Sequence, residues 1–131
     1  MIEITSTLKN KPKIKKKWWK EIKDAILGEN YNLSLVFLGE RRIKKINKNF
    51  RNKNRPTNIL SFPLDKKEGE IFICWPIIKK EAKKWGRTPE NFLDFLLIHG
   101  LAHLKGYDHE NEKDAAIMEK FEKKIRNKFG V

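Results

Sequence analysis

His99, His103 and His109 are the only histidines of this chain, and all three fall in one eleven-residue stretch, H-G-L-A-H-L-K-G-Y-D-H. Residues four apart on a helix lie on one face, a turn above one another, so His99 and His103 can point at one ion. A third ligand must come from outside that helix, because six further helical residues would carry His109 about two turns away. Gly106 supplies the break, since glycine takes the left-handed conformation that ends a helix. Tyr107 and Asp108 then turn the chain and His109 swings back. Three imidazoles with a fourth position open describe a catalytic zinc site better than a closed structural one. A metal with a purely structural role is the alternative.

The spacing H-x3-H-x2-G-x2-H is also that of the metzincin peptidases, which need Glu directly after the first histidine as the base. Here Gly100 holds that position, so a peptidase of that kind is not expected. The remaining route is a water whose pKa the ion itself lowers toward about 7. Attack at phosphorus also needs positive charge on the phosphoryl oxygens, and arginine grips phosphate with two donors. Arg51, Lys53 and Arg55 surround one loop; if it reaches the metal, one of them is the clamp, and if not, they are a solvated turn. Gly100 costs roughly 1 kcal/mol relative to alanine inside a helix. It either clears space for a substrate backbone or allows tight helix–sheet packing. Asp108 and Glu110 flank His109; a carboxylate there could orient a ligand imidazole, although a turn role suits Asp108 better.

These side chains need a frame. Ile2 to Leu8 reads as a first strand. A helix follows with Ile14, Trp18, Ile22 and Ile26 on one face, which makes its tryptophans core residues first and nucleic-acid platforms second. Tyr31 to Leu38 is a half-buried strand becoming central. Glu40 to Phe50 forms a short helix with Ile43, Ile46 and Phe50 inward. Asn58 to Phe62 is the third strand, Pro63 to Gly69 the turn, and Glu70 to Cys74 the fourth strand. Pro76 fits a helix first turn, with Ile78, Ala82 and Trp85 on one face. Thr88 caps a further helix carrying Pro89, Glu90, Phe92, Phe95 and Leu96 up to the histidines. The last, from about Glu112 to Lys128, buries Ala115, Met118, Phe121 and Ile125. The order predicts one α+β domain over 1–131, a small mixed four-stranded sheet packed with about five helices, with the metal site on a helix and the turn after it.

At 131 residues the chain can bury a core without staples. Its net charge of +13, with charged residues making up 36% of the chain, creates a field that draws in polyanions. Beside a metal site that favours a phosphate-bearing substrate. A lone cysteine, Cys74, forbids an internal disulfide. The longest apolar run, Phe95 to Ile98, is too short to span a bilayer. The N-terminus alternates Ile2 and Ile4 with Glu3 and lacks the apolar core of a signal peptide. A cytoplasmic protein without a membrane partner is expected.

The histidine stretch resembles the signature of the YbeY family, bacterial endoribonucleases that mature ribosomal RNA. A second segment, Ile46 to Pro63 (I-N-K-N-F-R-N-K-N-R-P-T-N-I-L-S-F-P), is similar to the family's L-N-x-x-Y-R-x-K-D-x-P-T-D-V-L-S-F-P. Gly69 to Cys74 (G-E-I-F-I-C) resembles its G-D-I-x-I-S strand, and a Lys-rich helix follows. Together they span the chain from about residue 44 to 120 in the right order. The resemblance implies one Zn2+ ion held by His99, His103 and His109, and a catalytic arginine at Arg51. It implies single-stranded RNA as substrate, notably near the 3′ end of small-subunit (16S) rRNA, a role in ribosome quality control and association with the small ribosomal subunit, with no DNA expected. Ala102 stands where the family has Leu, and Asn58 and Glu70 where Asp is common. The N-terminus is shorter than in many members. None of these touches a ligand, while substrate preference stays open.

The reading is a zinc-dependent single-strand endoribonuclease. Its main rival is a non-catalytic ribosome-assembly factor that grips rRNA and uses its metal structurally. A weaker rival is a metallohydrolase of small molecules or peptides, for which strong salt-dependent RNA binding would have no explanation.

Overall fold

Leu33, Leu35 and Phe37 alternate with Asn32, Ser34 and Val36, and that period of two builds a strand with one face wholly buried. A computed structural model describes all 131 residues. In chain order it contains β1 (Ile2–Ser6), α1 (Lys16–Leu27), β2 (Asn32–Phe37), α2 (Glu40–Arg51), β3 (Ile59–Asp65), β4 (Glu68–Ile73), α3 (Trp75–Glu81), a 3-10 turn (Ala82–Trp85), α4 (Pro89–Lys105) and α5 (Glu112–Phe129). The sheet order is β1-β2-β4-β3. β1, β2 and β4 run parallel, and β3 lies antiparallel to β4 at the edge. This is the expected α+β architecture, a mixed four-stranded sheet with five helices.

The main core lies on one face of the sheet. Leu33, Leu35, Ile71 and Ile73 meet Trp19, Ile22 and Ile26 of α1 and Leu93, Leu97 and Leu101 of α4. A smaller cluster on α2's side joins Ile43 to Leu38 and Cys74, with Val36, Leu60 and Phe72 packed against it. Burial there pushes the Cys74 thiol pKa up, which suits an inert core cysteine.

Several expectations needed correction. On α1 the inward tryptophan is Trp19, 1% exposed, while Trp18 is half-buried and Ile14 precedes the helix. The cause is polar: the Trp19 indole N–H donates to buried Asp94 at 3.0 Å, and Lys15 donates to the other oxygen at 2.7 Å. Lys23 is wholly buried and donates to the carbonyls of Gly28, Glu29 and Tyr31 where α1 ends. β1 stops at Ser6, short of Leu8.

Residues Pro63 to Gly69 are not one long turn. β3 runs on through Pro63 to Asp65, and only Lys66 and Lys67 turn the chain. Proline is tolerated in an edge strand, and β3 is one. Trp85 leaves the face of Ile78 and Ala82 because the last turn is 3-10, whose three residues per turn rotate it outward. It stacks on Phe92 instead. Phe50 is exposed, not inward. On α5, Met118 and Ile125 are buried, while Ala115 and Phe121 are only half so.

Candidate metal centre

Helix α4 is built to deliver two histidines to one place. Thr88 caps it by accepting the Asn91 backbone N–H at 3.1 Å, and Pro89 occupies its first turn. Gly106 ends it with φ at +114°, a region that side chains with a Cβ rarely adopt. The Gly106 N–H donates to the His103 carbonyl at 3.0 Å, and the Tyr107 N–H to Ala102 at 3.1 Å. Asp108 accepts the His109 backbone N–H, so it is a turn residue. Tyr107 stacks on Phe121 of α5, their rings 4.5 Å apart, which anchors the turn.

The turn brings His109 back. One ring nitrogen from each of His99, His103 and His109 lies within 4.8 Å of the others, so the three can hold one ion. The Nε2 atoms of His99 and His103 stand 3.2 Å apart. Burial first, then the charges of His99 and His109, holds the His103 pKa below its usual value. Neutral imidazole is the form that binds a metal.

His99 has a partner that the sequence reading missed. Its Nδ1 lies 3.0 Å from Oε1 of Glu122 on α5, whose side chain is only 5% exposed. A buried carboxylate there accepts the Nδ1 hydrogen and leaves the Nε2 lone pair facing the other histidines. Glu122, not Asp108 or Glu110, is the carboxylate on a ligand imidazole. The available signal was position: Glu122 is four residues after Met118 and three before Ile125, on the buried face of an amphipathic helix. Three imidazoles around one point, one braced by a buried carboxylate, form a donor set that fits a divalent ion such as zinc.

The histidines open into a cleft of about 700 Å³ between α4 and the segment joining α2 to β3. Arg51, Lys53 and Arg55 all line it, so the basic loop does reach the histidines. Asn47 holds that loop by donating to the Arg55 carbonyl at 2.9 Å. Arg51 donates from one Nη to the Ser61 carbonyl on edge strand β3 at 2.8 Å, and its guanidinium lies over the Phe62 ring. Gly100 serves packing: a Cβ there would stand 2.8 Å from Ser61 Oγ and 3.3 Å from the Cδ1 atoms of Ile59 and Ile71. Ser61 in turn donates to the Gly100 carbonyl at 3.2 Å. The tight fit of α4 on β3 sets Arg51 opposite the histidines.

An α+β fold that gathers three histidines able to hold an ion in a cleft lined by Arg51, Lys53 and Arg55 suits an enzyme with a phosphate-bearing substrate. The profile of the family described as endoribonuclease YbeY matches residues 3–130, and the chain belongs to that family. Proteins named endoribonuclease YbeY from Buchnera aphidicola subsp. Acyrthosiphon pisum and Thermosipho melanesiensis are both 40% identical to it; the alignments cover 95% of this chain and 88% of the first, and 80% of this chain and 81% of the second. The solution structure of TM1509 from Thermotoga maritima superposes with a TM-score of 0.61 at 28% identity, covering 98% of this chain and 91% of that one. No helix is long and apolar enough to cross a membrane.

Proposed function

We propose that residues 1–131 form one zinc-dependent, single-strand-specific endoribonuclease domain, cytoplasmic, acting near the 3′ end of small-subunit rRNA and in ribosome quality control, with the small ribosomal subunit as partner. The observation that carries the reading is the meeting of three histidine nitrogens within 4.8 Å in a cleft that Arg51 also lines.

His99, His103 and His109 would hold the ion. When bound, it supplies Lewis acidity toward a phosphoryl oxygen and lowers the pKa of water at the site. Everything else comes from the chain. Glu122 keeps the His99 proton on Nδ1. Arg51 spends one N–H on Ser61 and turns the rest of its fixed fork to a phosphate in the cleft, where positive charge balances the oxygens of the transition state. Lys53 and Arg55 add field along the strand's path.

The test is cleavage of a labelled single-stranded RNA by the purified chain and by a His103→Ala variant checked for folding. Cutting by the unaltered protein alone is expected. Equal cutting by both would expose a contaminating nuclease and sink the assignment. RNA binding without cutting by either would favour a non-catalytic assembly factor whose metal is structural.

A further inference from the structure

Phe50 stands seven residues on from Ile43 along α2, at the spacing of an inward residue, and yet it is 70% exposed. One exposed phenylalanine means little by itself. Its surroundings set it apart. Its ring meets Phe62 edge to face at 5.7 Å, and Phe62 meets Phe72 in the same way at 5.7 Å. The exposed ring therefore stands on an aromatic column rooted in the sheet. The helix end beside it is pinned, with Asn52 left-handed and its N–H bonded to the Asn47 carbonyl.

The column also touches the cleft. The guanidinium of Arg51 lies 5.0 Å from the centroid of Phe62, so Phe62 backs Phe50 and the cleft arginine at once. Charge points the same way: between Glu40 and Asp65 the chain carries eight Lys or Arg and no carboxylate. A rigid aromatic surface in a strongly basic stretch suits a polyanion that carries flat apolar groups, which is single-stranded nucleic acid.

We propose that Phe50, backed by Phe62, is a stacking subsite for an unpaired base of the RNA whose phosphate Arg51 engages. This rests on the endoribonuclease reading and extends it, giving the strand a path from the histidines over the edge of the sheet at β3. It also supplies a physical basis for single-strand preference, because sequence-reading proteins stack on bases that are splayed out of a helix, not on paired ones. The subsite tolerates any base, since each has a π face.

The test is binding, measured by anisotropy on the full chain in EDTA, which stops metal-dependent cutting. The probes are a labelled single-stranded RNA of about ten nucleotides and an abasic strand of the same length. Phe50→Ala is expected to weaken RNA binding about 5- to 100-fold while leaving the abasic strand nearly unchanged. Phe50→Trp restores affinity, and the exposed site leaves the melting temperature of both variants unmoved. Arg51→Ala weakens both probes alike. Undiminished RNA binding by Phe50→Ala, or equal weakening on both probes, overturns the subsite and leaves the ring as a protein-docking surface. Cutting is read separately, without EDTA and with zinc added, and an unaltered chain that neither binds RNA in the first assay nor cuts it in the second overturns the endoribonuclease reading and the subsite together. One that does both, with an indifferent Phe50→Ala, removes the subsite alone.

Discussion

His99 and Glu122 lie 23 residues apart in sequence and 3.0 Å apart in space, and the proposed ligand depends on that pair. Carboxylates behind ligand histidines contribute about 10–100-fold in metal affinity. Glu122→Ala is expected to weaken zinc binding by about that factor, with Glu122→Gln in between because its carbonyl can still accept the Nδ1 hydrogen. Competition with a chromophoric chelator reads both, and unchanged affinity in the alanine variant would remove the role. His103 gives a pH dependence with a definite sign. Its folded pKa lies below 6.5, chiefly through burial, so between the two values the unfolded chain binds the extra proton. The metal-free protein then loses stability as pH falls through 6.5 toward the folded value and keeps it above. Urea midpoints on either side of that pH should show the loss in the wild type and a smaller one in His103→Gln. At this scale the histidines were legible because helical spacing and a terminating glycine are local matters. Glu122 was not, since only tertiary packing brings α5 to α4.

Gly100 shows what the elements require of one another. Alanine there would gain about 1 kcal/mol of helix propensity but displace the Ser61 hydroxyl, which bonds the Gly100 carbonyl, and crowd Ile59 of β3 and Ile71 of β4. Overpacking of that kind costs about 1–3 kcal/mol. A lowered denaturant midpoint is expected for Gly100→Ala, with a larger fractional loss of RNA cleavage, because Ser61, the residue that must shift, also holds Arg51 through its carbonyl. Wild-type stability and activity in that variant would show that the interface yields. Periodicity located every helix and strand, and it failed where a neighbour overrode it. Trp19 displaced Trp18 because Asp94 offers its indole a buried acceptor. Phe50 kept helical spacing but emerged over edge strand β3, beyond which no further strand remains to cover it. β3 extended past Pro63 because an edge does not require the missing N–H.

Across the whole molecule, a charge of +13 makes RNA binding chiefly electrostatic, and its affinity should fall linearly in a plot of log K against log salt. Arg51→Ala should reduce the slope by about 1, whereas Phe50→Ala should lower affinity at every salt concentration and leave the slope alone. Zinc added to the metal-free chain should raise its melting temperature in a concentration-dependent way, since an ion bound only by the folded state stabilises it by mass action. The strand order was the least legible global feature: β4 inserts between β2 and β3, a matter of long-range pairing that no local pattern encodes. The bond between His99 and Glu122 also has a bearing on time. Every candidate ligand precedes α5, while the carboxylate that braces the first of them belongs to that later helix. A growing chain therefore carries all three histidines before Glu122 can brace the first of them, and a polypeptide still being made, itself surrounded by ribosomal RNA, is expected to bind metal about 10–100-fold more weakly until α5 has emerged and docked.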